Sequence, residues 1–197
     1  MNTLTEDQTL WLSYREGDKH ALGLLAERYY RVLKHYGLKF MIDDAIVEDC
    51  IQELFLHLWQ NRLHINDTDS VKHYLLKSLR HGIFQYLRSE KHVLPTELDW
   101  DSSLPDEIDA ETLMIREESA MHQVNELNRE LSALPPRERE ALYLRYYENL
   151  SVTEIAEVMN VNRQSVSNFL QKALSKLRSR LLVAPVFFLI CIFLKKN

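Results

Sequence analysis

The sequence predicts an all-α protein: two small helical domains joined by an acidic linker, the second of them a helix-turn-helix. Three observations lead there. Glycine and proline are scarce, four and five in 197 residues, which disfavours a turn-rich β-sandwich and Gly-rich phosphate or dinucleotide loops. Apolar residues make up 46% of the chain and recur at three- and four-residue spacings, the period of a helix with one buried face. Charge is partitioned along the chain. Residues 1–92 hold 12 Lys/Arg and 13 Asp/Glu, residues 93–130 hold 2 and 11, and residues 131–197 hold 10 and 5. The net charge of −5 therefore hides a basic C-terminal module behind an acidic middle. DNA responds to the local field, screened over roughly 10 Å.

The elements follow in order. In the first domain, residues 1–92, Trp11, Leu12, Ala21, Leu22, Leu24, Leu25, Tyr29, Val32, Leu33 and Tyr36 mark two helices on either side of Gly17-Asp18. Asp43 or Asp44 caps the third helix, whose apolar side comprises Ile46, Val47, Cys50, Ile51, Leu54, Phe55, Leu58 and Trp59. The polar stretch 66–70 is a loop, with Asp69 or Ser70 capping a fourth helix to about Ser89. That helix turns Tyr74, Leu75, Leu79, Ile83, Phe84 and Leu87 inward, with Lys72, Lys77, Arg80 and Arg88 on or beside its other side. Residues 93–111 are a flexible linker whose like charges keep it extended.

The second domain, residues 112–180, carries the most informative pattern. Pro135 and Pro136 open a helix, where their missing N–H groups cost nothing. Leu142, Leu144 and Tyr146 supply apolar contacts, and Asn149 ends the segment. Ser151 with Glu154 three residues on forms a capping box for a short helix burying Ile155, Ala156 and Met159. Asn160-Val161-Asn162 is a turn with Val161 inside, and Asn162 caps a last helix from Arg163 that buries Val166, Leu170, Ala173, Leu174 and Leu177. Its exposed side begins Arg163, Gln164, Ser167, Asn168, Gln171, Lys172. An α-helix fits the major groove, where Arg reads guanine and Gln or Asn reads adenine. Lys172, Lys176, Arg178 and Arg180 also suit the end of a helix on structural grounds alone.

The stretch LPPREREALYLRYYENLSVTEIAEVMNVNRQSVSNFLQKALSKLR closely resembles region four of RNA polymerase sigma factors, a winged-helix-like class, in the two-domain extracytoplasmic-function group. The resemblance implies a module that reads the upstream, minus-thirty-five promoter element and docks on a polymerase flap. Arg163, Gln164, Ser167, Asn168 and Lys172 would face DNA. Arg137, Arg139 and Arg145 would lie near phosphates or polymerase, and Ser151, Glu154, Ile155 and Ala156 would build the supporting helix. AIVEDCIQELFLHLWQNR, residues 45–62, resembles region two, which implies that Glu48, Asp49, Gln52 and Glu53 bind a coiled coil of the largest polymerase subunit. VKHYLLKSLRHGIFQYLRSEK, residues 71–91, resembles the following segment, which captures the unwound minus-ten element. Lys77, Arg80, His81 and Arg88 would meet that strand, together with Lys72 and His73. Tyr74 stands where tryptophan is usual, His81 replaces asparagine, Gln85 replaces aspartate, and Ile65 lies near a position that is often aromatic.

The reading that follows is a cytoplasmic, non-enzymatic sigma factor with no cofactor and no metal. Its partners are core RNA polymerase, promoter DNA and an anti-sigma factor, and it is a monomer when polymerase-bound. The N-terminus lacks the basic flank and apolar run of a signal peptide, and Cys50 and Cys191 form no metal or redox pattern. The adjacent acids Asp43/Asp44 and Glu48/Asp49 are no demonstrated metal clamp, which argues against a nuclease. Two rivals share the motifs: a polymerase-independent helix-turn-helix regulator, and an interaction scaffold that has lost DNA binding. The tail 181–197 contains 14 apolar residues, Leu181–Leu194, before Lys195 and Lys196. A spanning helix needs about 20, so the tail suits packing on protein or a weak membrane contact.

Overall fold

The computed structural model describes residues 4–40, 43–91 and 126–180. The chain divides into two compact units, within Met1–Leu98 and Asp99–Asn197. The described residues are almost wholly helical and contain no strand. The expected linker, the start of the second domain before residue 126 and the apolar tail lie outside the described residues.

The first unit is built from α1 (Glu6–Arg15), α2 (Lys19–Leu38), α3 (Asp44–Asn61) and α4 (Val71–Lys91). Local chemistry sets each boundary. Thr5 and Gln8 form a capping box at α1. Gly17 takes φ 104°, a left-handed turn suited to a residue without Cβ, and Asp18 then caps α2 through His20 N–H at 2.8 Å. Asp43 caps α3 through Ala45 N–H at 3.0 Å. Ser70 Oγ accepts from His73 N–H at the start of α4.

The apolar stripes meet as their spacing requires. Trp11, Tyr14, Leu25, Leu33, Tyr36, Val47, Ile51, Leu58, Leu75, Leu79 and Ile83 are buried. At the α2–α3 crossing, a Cβ on Gly37 would stand 2.5 Å from Val47 Cγ1, so only glycine lets the helices approach this closely. Two expectations change. Leu24 is exposed, because it stands about 100° round the helix from Leu25. Cys50 is half-buried rather than enclosed, with its thiol pushed up by desolvation.

In the second unit, residues 126–132 are helical (α5). They are followed by α6 (Pro136–Leu142), α7 (Val152–Val158) and α8 (Arg163–Arg180). Leu127, Leu134, Leu142, Ala173 and Leu177 form its buried cluster, with Leu131, Tyr146, Leu170 and Leu174 packed against it. Leu170 and Leu174 are thus only half-buried, as is Val161, which were expected inside. The sequence pattern also missed a π-turn at Tyr143–Tyr147, continuous with α6. Glu148 N–H reaches back five residues to Tyr143 O at 3.1 Å. The Tyr143 and Tyr147 rings stack at 4.9 Å, and Tyr143 Oη donates to buried Glu148 at 3.0 Å. Asn149 (φ 57°) and Asn160 (φ 52°) then supply left-handed turns on either side of α7, a conformation Asn tolerates better than most residues.

Candidate nucleic-acid and polymerase interfaces

The helix-turn-helix is assembled by local bonds. Ser151 N–H donates to Glu154 Oε2 at 2.8 Å and Glu154 N–H to Ser151 Oγ at 3.2 Å, closing the capping box of α7. Val161 N–H returns to Ala156 O at 2.9 Å across the turn. Asn162 Oδ1 accepts Ser165 N–H at 2.7 Å and starts α8. Ile155 and Ala156 are buried. With Val166, Ala173 and Leu177 inward, the opposite side of α8 carries Arg163, Gln164, Ser167, Asn168, Gln171 and Lys172, all exposed. A capped recognition-type helix thus presents one cationic and amide-rich face.

Two further cations of this unit are engaged within it. Lys176 is held by Glu138 of α6, whose side chain is almost wholly buried. Arg145 remains exposed, yet its Nη1 donates to Leu150 O at 2.9 Å and ties the π-turn to the loop before α7. Arg137 is exposed and Arg139 half-buried.

On α4, Lys77, His81, Gln85 and Arg88 are exposed at helical spacing and share one side. Arg80 lies beside them, half-buried, with its guanidinium 4.2 Å from the Phe84 ring centroid. Tyr74 belongs to the core side: its ring meets Trp11 edge-on at 4.9 Å, and burial pushes its hydroxyl up. Ile65 is buried too. Trp59, part of the region-two motif, has Arg62 4.4 Å and Lys19 5.6 Å from its ring, so its faces are engaged within the unit.

The acidic stripe on α3 splits. Asp49, Gln52 and Glu53 are exposed. Glu48 is half-buried and turns to α2, accepting from Lys34 Nζ and Tyr30 Oη, each at 2.8 Å. Lys34, bonded also to Asp44 at 2.9 Å, holds the Glu48 carboxyl below its ordinary range, with Tyr30 contributing. The exposed stripe instead gains Leu56, 55% exposed, one turn beyond Gln52 and Glu53. The signal for Leu56 was present: it falls outside the Val47–Ile51–Leu54–Leu58 stripe.

A two-unit helical protein whose second unit displays a capped recognition-type helix defines a class of DNA-binding transcription proteins. Comparisons with known proteins give the family. Residues 25–93 match the model for sigma-70 region 2 and residues 125–177 that for sigma-70 region 4. The chain belongs to the sigma-70 family of RNA polymerase sigma factors, of the extracytoplasmic-function type. It is 25% identical over 156 residues to the ECF RNA polymerase sigma factor SigM of Bacillus subtilis, covering 78% of this chain and 90% of the relative. It is also 25% identical over 181 residues to the RNA polymerase sigma factor NccH of Alcaligenes xylosoxydans xylosoxydans, covering 89% and 94%.

Among solved structures, CnrH bound to the cytosolic domain of CnrY shares the fold at TM-score 0.57 and 18% identity, covering 88% of this chain and 95% of that one. Sigma factor RpoE of Bartonella quintana, bound to the anti-sigma factor NepR, does so at TM-score 0.56 and 14% identity, covering 82% and 97%. As a sigma factor, the chain binds core RNA polymerase and directs promoter-specific initiation of transcription.

Proposed function

We propose a division of labour among the exposed faces of three helices. The Asp49–Gln52–Glu53 side of α3, extended by Leu56, docks on the largest polymerase subunit. Lys77, Arg80, His81 and Arg88 on α4 line a cationic track for the separated minus-ten strand, with Gln85 in the same row. Arg163, Gln164, Ser167, Asn168 and Lys172 on α8 enter the major groove of the upstream element. Glu48, named with the polymerase-binding stripe from the sequence, is assigned instead to joining α2 and α3, because Lys34 and Tyr30 occupy its carboxylate.

The observation that carries this reading is the row of exposed polar residues at the start of α8, set by the Ser151 and Asn162 caps. Cations supply a salt-dependent attraction to phosphate, while base contacts choose the site. Neither DNA contact must be strong alone. Held on one polymerase, each raises the effective concentration of the other. The chain performs no covalent chemistry, works in the cytoplasm as a polymerase-bound monomer, and is restrained by an anti-sigma factor of the kind seen with the structural relatives. Among the described residues no helix is long and apolar enough to cross a membrane. The apolar tail 181–197 is assigned to packing on protein or to a weak membrane contact.

In-vitro transcription with core polymerase over a random promoter library tests the whole reading. Specific initiation with two separated preferred elements is expected, and Arg163→Ala with Lys172→Ala should damage promoter use through the upstream element. Binding to promoter DNA without any association with core polymerase would mark a polymerase-independent regulator instead.

A further inference from the structure

The first turns of α8 carry two exposed amides four residues apart, and they are joined. Gln164 Nε2 donates to Asn168 Oδ1 at 3.0 Å. A lone Gln or Asn offers its carbonyl and its NH2 group interchangeably, since the amide can rotate by half a turn. This bond couples the two choices: one amide cannot turn without the other if the bond is to be kept. With Oδ1 turned to Gln164, Asn168 aims its Nδ2 donors outward. With Nε2 turned to Asn168, Gln164 keeps its Oε1 acceptor and one N–H for an outside partner. The side chains lie on one side of the helix, about 6 Å apart along its axis.

We infer that Gln164 and Asn168 read the upstream duplex as one specificity-determining unit whose two amide orientations are coupled. Gln164 pairs its acceptor and remaining donor with adenine N6 and N7. Asn168 donates from Nδ2 to an acceptor edge on a neighbouring base pair, guanine O6/N7 or thymine O4. Ordering both amides before DNA arrives lowers the conformational cost of binding. The inference rests on the assignment of α8 to the major groove and adds which pair sets base choice and in which orientation.

Two nearly isosteric variants separate this from independent contacts. Gln164→Glu and Asn168→Asp each add one negative charge within the same helical turn, so general repulsion from phosphate is matched. Both face solvent, and unchanged melting temperatures verify the fold. Each is assayed with core polymerase on promoters randomised across the upstream element.

In Gln164→Glu the donor to Asn168 is gone. The Asn168 amide then turns to donate to the new carboxylate and presents Oδ1 outward, so its preferred base moves to one with a donor edge, cytosine N4 or adenine N6. Asn168→Asp keeps an acceptor for Gln164, so the adenine preference persists while selectivity at the neighbouring position falls about tenfold, the scale of one amide–base pair. Loss of selectivity confined to each residue's own position, adding independently in the double variant, overturns the inference and leaves the α8 assignment standing. A wild-type chain that initiates without any upstream preference overturns both.

Discussion

Lys176 of α8 donates to both carboxylate oxygens of Glu138 in α6, at 3.1 and 2.9 Å, across 38 residues of sequence. The Glu138 side chain is 7% exposed and that of Lys176 41%, so the pair is anchored on the acid's side and wet on the lysine's. It ties the back of the DNA-reading helix to the helix that precedes the helix-turn-helix. Lys176→Ala strands a buried carboxylate and should cost about 1–2 kcal/mol, reduced from a fully buried pair by solvent at the lysine. Lys172→Ala, four residues earlier and exposed, should change stability by less than about 0.5 kcal/mol. Urea denaturation of the two variants distinguishes a structural cation from a free one.

The opposite ranking is expected on DNA. Lys172→Ala should weaken promoter use across sequences and reduce the salt slope of binding by about one, whereas Arg163→Ala should relax base selectivity. Titrating the polymerase complex with promoter DNA at several salt concentrations reads both. An unchanged slope in Lys172→Ala would remove that lysine from the phosphate contacts.

Gly37 sets how closely α2 and α3 pack. The Cβ of Gly37→Ala would meet the buried Val47 side chain at 2.5 Å, and forced displacement in a packed core costs about 1–3 kcal/mol. Adding Val47→Ala removes the clash and lets the new methyl occupy part of the vacated space. The double variant should therefore be more stable than the sum of the two single losses, a coupling that denaturant titrations of the full cycle measure.

The acids of α3 should separate by role and by pH. Neutralising Asp49 and Glu53 should slow association with core polymerase roughly tenfold at low salt and flatten its salt dependence. Glu48→Gln should leave that rate nearly unchanged, because Lys34 and Tyr30 already hold its carboxylate. Its carboxyl is lowered first by the Lys34 bond and then by the Tyr30 bond. A lowered folded pKa contributes stability above the ordinary carboxylate pKa and loses it as pH falls through the folded value. The acid limb of the stability profile should thus be shallower in Glu48→Gln than in the wild type, as thermal melts from neutral pH down to about 3 would record.

Most of the local architecture was legible because its causes are local. Asp18, Asp43, Ser70, Ser151 and Asn162 cap the helices that follow them, since a short acceptor side chain reaches N–H groups two or three residues on whatever the rest of the chain does. The buried stripes through Leu25, Leu33, Ile51, Leu58 and Leu79 followed from period alone. The π-turn at Tyr143–Tyr147 was not legible. Its end is marked by the buried Glu148 carboxylate bonded to Tyr143, and no residue type announces an extra residue in a turn. The partners of Glu48 and Lys176 were hidden for a related reason: each looks like a solvated charge until the residue facing it from another helix is known.

Helix boundaries, the apolar faces and the turn that sets up α8 were determined by the sequence itself, through bonds spanning at most a few residues and a 3.6-residue rhythm. Which charges remain free to meet polymerase or DNA was decided only by the tertiary structure. A charged side chain is claimed by whatever the fold brings within about 3 Å of it. Lys34 reached Glu48, Glu138 reached Lys176, and Asp49, Arg163 and Lys172 stayed on the surface.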